Sequence, residues 1–397
     1  MMDEFELTDQ QKAFQTLARE FAERHIKPIA AEIDRMEVKM GLPNFPWDML
    51  REAHKIGLKT IAFPMEYGGM AADHLTQVII TDELAYVDAT CAKTISQCWK
   101  QPQYIIHFGT KDQRDRFLGA MRDEPTYMMA GAITEPDYGS DNMLPYEEPE
   151  GGLKLSVKRK GDGYVLNGVK HFIALGGAAS LYIVRGRTDK TVSVRKGTGR
   201  FLVPKDTPGF SVTAQHDKIG FRAYPNGQLA FEDVYVPKEN LLGGKENYDV
   251  SGGPLAGWNE LELAATAMGI ARAAFEAALD YAKQRVQGGK TIIEHQAVAG
   301  LLADMYMDLQ AGRSLVWQTA RIFSSGRRDT KMSMASARFA TKVVLKITTD
   351  ALTIFGGMGV MKELPLEKYV RDTMIFTHLA DGPARQVKAG NLLMRPE

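Results

Sequence analysis

The sequence predicts an α+β protein in three successive parts: an all-α domain over 1–127, a small β domain over 128–244 and an α-helical bundle domain over 245–397. Three observations carry this. Apolar residues recur at helical spacing to about residue 125, short β-rich runs separated by Gly, Asp and Pro then take over, and beyond Gly244 long helical patterns return. At 397 residues the chain is long for a single core, which agrees with several packed units.

The composition is that of an ordinary globular protein, 44% hydrophobic and 25% charged. Lys+Arg and Asp+Glu are equal at 49 each, so no global field draws the chain to nucleic acid or an anionic membrane. Any anionic ligand must be held by local groups. The two cysteines, Cys91 and Cys98, lie seven apart on one helical pattern, which is neither a disulfide framework nor a zinc pattern, and no metal site is expected. The acidic start, Met-Met-Asp-Glu-Phe-Glu-Leu-Thr, reads as neither a signal nor an Arg-rich transit peptide. No window of 18 uninterrupted apolar residues occurs, so no membrane insertion is expected.

In order along the chain, Thr8-Asp-Gln-Gln11 reads as a capping box, and Phe14, Leu17, Ala18, Phe21 and Ala22 give the first helix one apolar face. Pro43, Pro46, Pro64 and Gly68-Gly69 break the later helical patterns. Strands are expected over 153–158, 164–167, 181–185, 200–204 and 229–236, with Asp233 and Asn240 as turn and strand-end residues. Helices follow over about 259–287, 292–325 and 332–355; their surplus apolar faces suit a four-helix bundle that packs against other subunits.

Several motifs bear on chemistry. Gly131-Ala-Ile-Thr-Glu-Pro-Asp-Tyr-Gly-Ser-Asp141 offers backbone N–H groups and hydroxyls beside a Gly-Ser turn, suited to a polar, phosphate-bearing ligand or simply to a loop held by Asx and Ser turns. Asn167-Gly-Val-Lys-His-Phe-Ile-Ala174 presents an aromatic on a strand, and Arg285 and Gln296 flank a Gly-rich turn. Near the C-terminus, Gly356, Gly357 and Gly359 follow a helical run ending in Ile-Phe; they serve as a helix end or as a place where backbone approaches an anion. Lys362-Glu-Leu-Pro-Leu-Glu-Lys-Tyr-Val-Arg-Asp372 and His378-Leu-Ala-Asp-Gly-Pro383 complete the string.

Taken together, these segments resemble the signature of the flavin-dependent acyl-CoA dehydrogenase family, and the resemblance covers essentially the whole chain. It implies that family's fold, FAD as cofactor and an acyl-CoA substrate, with α-proton abstraction and β-hydride transfer to flavin N5 giving an enoyl-CoA. It further implies reoxidation by electron-transferring flavoprotein, a homotetramer built as a dimer of dimers, and a cytoplasmic location, or the mitochondrial matrix after processing. Carried over residue by residue, the flavin contacts are Ile133, Thr134, Ser140, Phe172, Ile173, Ala174, Arg285, His295, Gln296, Thr353, Gly356, Gly357 and Pro383. Substrate contacts are Ser140, Lys93, Trp258, Asn259, Glu260 and Gly382.

This sequence departs from the family pattern in several places. Ala174 lacks the usual hydroxyl, Gly288 stands where Phe is typical, and Glu260 stands where many relatives carry Arg. Most relatives have Tyr-Glu-Gly-Thr where this chain has Leu-Ala-Asp-Gly. Matching the Gly after the carboxylate makes Asp381 the base in place of the usual Glu, one residue beyond rigid counting, which lands on Ala380. Glu260 is kept as the competing acid, although an exposed structural Glu is its default reading. The helix holding Lys93, Ser96, Gln97 and Lys100 is unusually polar; both lysines point to solvent on ordinary grounds, or else they face a functionalised acyl group. Alternatives within the fold are a member with altered chemistry, such as a reductase or lyase-like enzyme or one acting on a cyclic or carboxylate-bearing acyl-CoA. A helical scaffold without flavin is the alternative outside enzyme chemistry.

Overall fold

A computed structural model describes residues 6–144, 147–246 and 253–394. Its first part is helical: α1 (Asp9–Phe21), α2 (Lys27–Arg35), α3 (Trp47–Lys55), α4 (His74–Val87), α5 (Ala89–Lys100), α6 (Pro102–Phe108) and α7 (Lys111–Asp123). The capping box forms at α1, with Gln11 N donating to Thr8 Oγ1 at 3.2 Å and Thr8 N donating to Gln11 Oε1 at 3.0 Å. A π-helical turn over Ala22–Ile26 carries α1 into α2. Asp73 and Asp88 cap α4 and α5 through Thr76 N and Cys91 N. Both α4 and α5 are buried on nearly all sides, including Cys91 and Cys98, whose thiols burial pushes up, Cys98 to about 11.

The middle part is a seven-stranded sheet: β1 (Met129–Ala132), β2 (Ser156–Lys160), β3 (Gly163–Ala174), β4 (Leu181–Arg187), β5 (Thr198–Pro204), β6 (Phe210–Gln215) and β7 (Asn226–Pro237). Its order is β1-β4-β2-β3-β7-β6, with β5 paired to β4. The five strands expected from sequence are present, and β1 and β6 are added. Met129-Ala-Gly-Ala lacks β-branched residues and is a strand because it pairs in parallel with the buried Leu181–Val184 segment. In the β3–β7 pair the register slips between Lys170 and Ile173. That bulge contains Phe172, at φ +54°. Asp233 takes φ +51° within β7 and is tied to Asn167, while Asn240 is buried and donates to Leu202 O, both structural positions.

The last part holds α8 (Trp258–Gln284), a hairpin of β8 (Val286–Gln287) and β9 (Lys290–Thr291), α9 (Gln296–Ser324), α10 (Thr330–Phe355), α11 (Leu366–Met374), α12 (Phe376–Leu379) and α13 (Pro383–Met394). The Ala-rich α8 lets α4, α9 and α10 pack closely around it. Thr330–Val360 has the length and apolarity of a membrane span, but α10 packs on α8 and α9 as a core helix of the bundle.

Buried ion pairs lock these parts together. On α4, Asp82 pairs with Arg272 and Arg313, and Glu83 pairs with Arg19 and Arg272. On α11, Arg371 Nη2 meets Asp34 Oδ2 at 2.7 Å, and Lys368 Nζ meets Asp88 and Asp372 at 2.7 and 2.6 Å. Asp372 also accepts Phe221 N of the β domain at 2.7 Å. The Lys-Tyr-Val-Arg-Asp motif is thus a three-way clamp, and breaking one partner of such a buried pair costs about 3–5 kcal/mol.

Candidate functional site

The residues predicted from sequence gather into three groups. The first lies on the β domain. Glu135 is buried and accepts Lys170 Nζ at 2.8 Å and Leu155 N at 3.0 Å, which pins the loop that follows β1. His171 N donates to Thr134 O at 2.8 Å, so Ile133 and Thr134 run beside the bulge that presents Phe172. The Phe172 ring is 54% exposed and lies 3.9 Å from the His171 ring and 4.7 Å from that of His216, centroid to centroid. Ile173 turns its side chain into the core, so only its backbone is available to a ligand, and Ala174 is half-buried with no hydroxyl to offer. Ser140 is exposed and opens a turn over Ser140–Met143 on which α13 packs. An exposed aromatic face, with the buried His216 Nε2 unpartnered among the described residues, fits a planar ring with a polar edge such as a flavin.

The second group lies at one end of the bundle. Tyr281 stacks on Phe355 at 4.0 Å and 14°, bringing the end of α8 against the end of α10. Arg285 therefore shares that end with Thr353, Gly356 and Gly357. Arg285 and Gln296 are exposed, and His295 Nε2 sits 2.9 Å from Gln287 O across the hairpin. Gly356, at φ +59°, and Gly357 have nothing within 4 Å of a built Cβ, so this backbone is open to a bulky anion. Gly288, where the family favours Phe, has φ +61° with the His295 ring 3.3 Å from a built Cβ, so a side chain would be strained as well as crowded.

The third group surrounds the junction of α12 and α13. Ala380 is buried in the core, whereas Asp381 turns outward and its Oδ1 accepts Arg338 Nε at 2.5 Å. Its Oδ2 has no partner among the described residues. Gly382 and Pro383 follow directly and start α13, which carries Arg385 one turn on. Trp258 is buried, its ring 5.0 Å from that of His74; burial pulls His74 down to about 4.

Here the structure corrects two sequence readings. Glu260 is buried rather than exposed, bonded to Arg385 Nη1 at 2.5 Å with Lys388 Nζ at 3.8 Å. Burial pushes its carboxyl up, but Arg385 and Lys388 outweigh that and hold it below the usual range. Lys93 and Lys100 do not point to solvent either. Lys93 pairs with the fully buried Glu262, which also accepts Ser96 Oγ at 2.6 Å, and Lys100 donates to Asn259 Oδ1 with Glu262 at 4.0 Å. Burial pulls Lys93 down to about 8 and lowers Lys100, while Glu262 stays below the usual carboxylate range because the lysines outweigh its own burial. Gln97 Nε2 donates to Tyr224 Oη at 2.7 Å, adding the β domain to this network.

Sequence reasoning missed Glu262, Arg338 and Arg385. Their signal lies in no local pattern, because each meets its partner across a large separation in sequence. A separate cavity of about 430 Å³ lies over the α11 clamp between α2, α8 and α11, and is lined by none of the predicted site residues.

Models of the acyl-CoA dehydrogenase N-terminal, middle and C-terminal domains match residues 8–124, 130–234 and 257–384. The chain is 33% identical over 387 residues to the short-chain-specific acyl-CoA dehydrogenase of Clostridium acetobutylicum, covering 97% of each. The solved butyryl-CoA dehydrogenase of Megasphaera elsdenii superposes with a TM-score of 0.89 at 33% identity, covering 98% of this chain and 100% of that one. A chain in the structure described as the electron-transferring flavoprotein of Acidaminococcus fermentans superposes with a TM-score of 0.88 at 33% identity, covering 99% and 100%.

Proposed function

Because the chain belongs to the acyl-CoA dehydrogenase family, we propose that it oxidises an acyl-CoA thioester with Asp381 as the base that removes the α-proton. It is an FAD-dependent oxidoreductase. Bound FAD supplies the hydride acceptor. The observation that carries the reading is the arrangement at residues 380–382: the residue that rigid counting favours, Ala380, is a buried methyl, and the next is a carboxylate with one oxygen unpartnered among the described residues. Asp381 Oδ2 would take the proton, provided the substrate carbon comes within hydrogen-bonding reach. Arg338 fixes the carboxylate through its other oxygen. The start of α13 follows directly; Pro383 has no N–H, so Ala384 N is its first donor, and it and the helix dipole would favour the negative charge that grows on the thioester oxygen. Glu260 is more deeply buried and is held by two cations, Arg385 and Lys388, which makes it the weaker candidate.

Phe172, Thr134 and Ser140 would hold the flavin from the β domain, and Arg285, Gln296, Gly356 and Gly357 would reach the diphosphate of a neighbouring subunit's flavin through a guanidinium fork and open backbone. The exposed Tyr306, Met307 and Phe339 of α9 and α10 support packing between subunits, a homotetramer being the expected assembly. Electron-transferring flavoprotein is the expected electron acceptor, a reading supported by the Acidaminococcus neighbour.

The test is Asp381→Asn in the purified holoenzyme. It should retain FAD and bind substrate, yet show flavin reduction by acyl-CoA about a hundredfold slower or more, the scale of a lost general base. Near-normal reduction in that variant, with Glu260→Gln inactive, would move the base to α8.

A further inference from the structure

The α5–α8–α13 network carries more positive charge than it neutralises. Lys93 is matched by Glu262 and Arg385 by Glu260. Lys100 is left over: its hydrogen bond goes to the neutral amide of Asn259, and its nearest carboxylate, 4.0 Å away, already serves Lys93 and Ser96. Lys388 adds a further half-exposed cation beside Glu260. Arg385 is 5% exposed, and its Nε has no hydrogen-bond partner among the described residues; the same is true of Gln97 Oε1. The Asp381–Arg338 pair is balanced in itself and does not absorb the surplus. An uncompensated buried cation and an orphaned guanidinium N–H both cost free energy unless an acceptor arrives. The Lys100 side chain keeps 18% exposure, so an acceptor has access to it.

Arg385 lies in the first turn of α13, four residues beyond Asp381, and it is close enough to Lys100 to act on that ammonium, so the surplus and the proposed base meet at the start of α13. We infer that Lys100 and Arg385 receive an anionic group, of the carboxylate class, carried on the acyl portion of the substrate. This rests on the reading of Asp381 as the base, which places the acyl portion beside α13. The anion would accept from Lys100 Nζ and Arg385 Nε, completing the charge count and filling the empty donor in one step.

The test separates binding from chemistry. In the Asp381→Asn holoenzyme, which binds without turning over, flavin absorbance titrations compare succinyl-CoA with butyryl-CoA, thioesters of equal chain length with and without a terminal carboxylate. Succinyl-CoA should bind about tenfold to a hundredfold more tightly, the range for a charge-assisted hydrogen bond. Adding Lys100→Met should bring the ratio close to one, and Lys100→Arg should keep most of it. Equal or tighter binding of butyryl-CoA overturns the inference, as does a ratio that Lys100→Met leaves unchanged. If Lys100→Met fails to fold, the first comparison still decides. Failure of Asp381→Asn to slow flavin reduction sinks the base assignment separately, whatever the binding ratio.

Discussion

Lys368 and Lys93 are both buried lysines paired with carboxylates, and their surroundings push them in opposite directions. Despite burial, Asp372, Asp88 and Asp34 hold the Lys368 ammonium above its ordinary value, whereas Lys93 is pulled down to about 8 because burial outweighs Glu262 and the cations Lys100 and Arg385 work against it. The α11 clamp is rich in acids, and its spare carboxylate oxygens are met by backbone N–H groups, Phe221 N on Asp372 and Cys91 N on Asp88. The network by α13 is rich in cations, and Arg385 Nε meets no acceptor among the described residues. A buried cation can be satisfied by backbone, as Lys59 shows by donating to Met121 O and Glu124 O. The orphaned donor therefore distinguishes a site built to accept something from a joint that is already complete.

This contrast can be broken at the clamp first. Asp372→Ala removes the acceptor of Phe221 N and one partner of Lys368, and should cost about 3–5 kcal/mol. Urea denaturation and limited proteolysis at the junctions of the three parts would read the loss; wild-type resistance would mean that the clamp is not a joint.

A smaller effect should follow pH. Between about pH 8 and 10.5 the native state has released the Lys93 proton while the unfolded chain still holds it, so at this group the unfolded state binds more protons and its contribution to stability rises with pH across that window. Lys59, Lys170 and Lys218, also pulled down to about 8, add to the slope. Lys368, raised instead, gives no loss until beyond it. Melting temperature against pH should rise from about pH 8 to 9; above that, the Cys91 and Cys98 thiols, which burial keeps protonated in the native state while the unfolded chain releases their protons, offset the gain. Lys93→Met should flatten the curve by roughly one lysine's share, on the order of 3 kcal/mol. An unchanged slope in that variant would remove Lys93 from the account.

The smallest effect belongs to Lys100. Because Lys93–Glu262 and Arg385–Glu260 stay balanced without it, Lys100→Met should change stability by less than about 1 kcal/mol, or raise it. A loss comparable to that of Asp372→Ala, measured in the same urea series, would make Lys100 a structural partner rather than a surplus.

The long helices, the α1 cap and five of the strands were legible because each writes its period or its cap into adjacent residues. β6 alternates in the same way, in Phe210-Ser-Val-Thr-Ala-Gln, and was open to the same reasoning. β1 was not, because its strand character comes from Leu181–Val184, about fifty residues on. Motif matching picked out Phe172, Arg285, the 356–357 glycines and Asp381 as proposed site residues. Their surroundings were not legible: the bulge that exposes Phe172 is a slip against β7, and the arginine that holds Asp381 stands 43 positions earlier on α10.

The sequence by itself determined the order of the three parts, where the long helices lie to within a few residues, and which short strings belong to an acyl-CoA dehydrogenase, since these depend on local backbone preference and on spacing along the chain. Only the tertiary structure decided which charges are buried and what they meet. Lys93 and Glu262 are 169 residues apart, Arg385 and Glu260 are 125 apart, and Lys100 and Asn259 are 159 apart. A lysine carries the same charge on a wet face as in a core, so its role is set by the dielectric and the partners that folding brings to it.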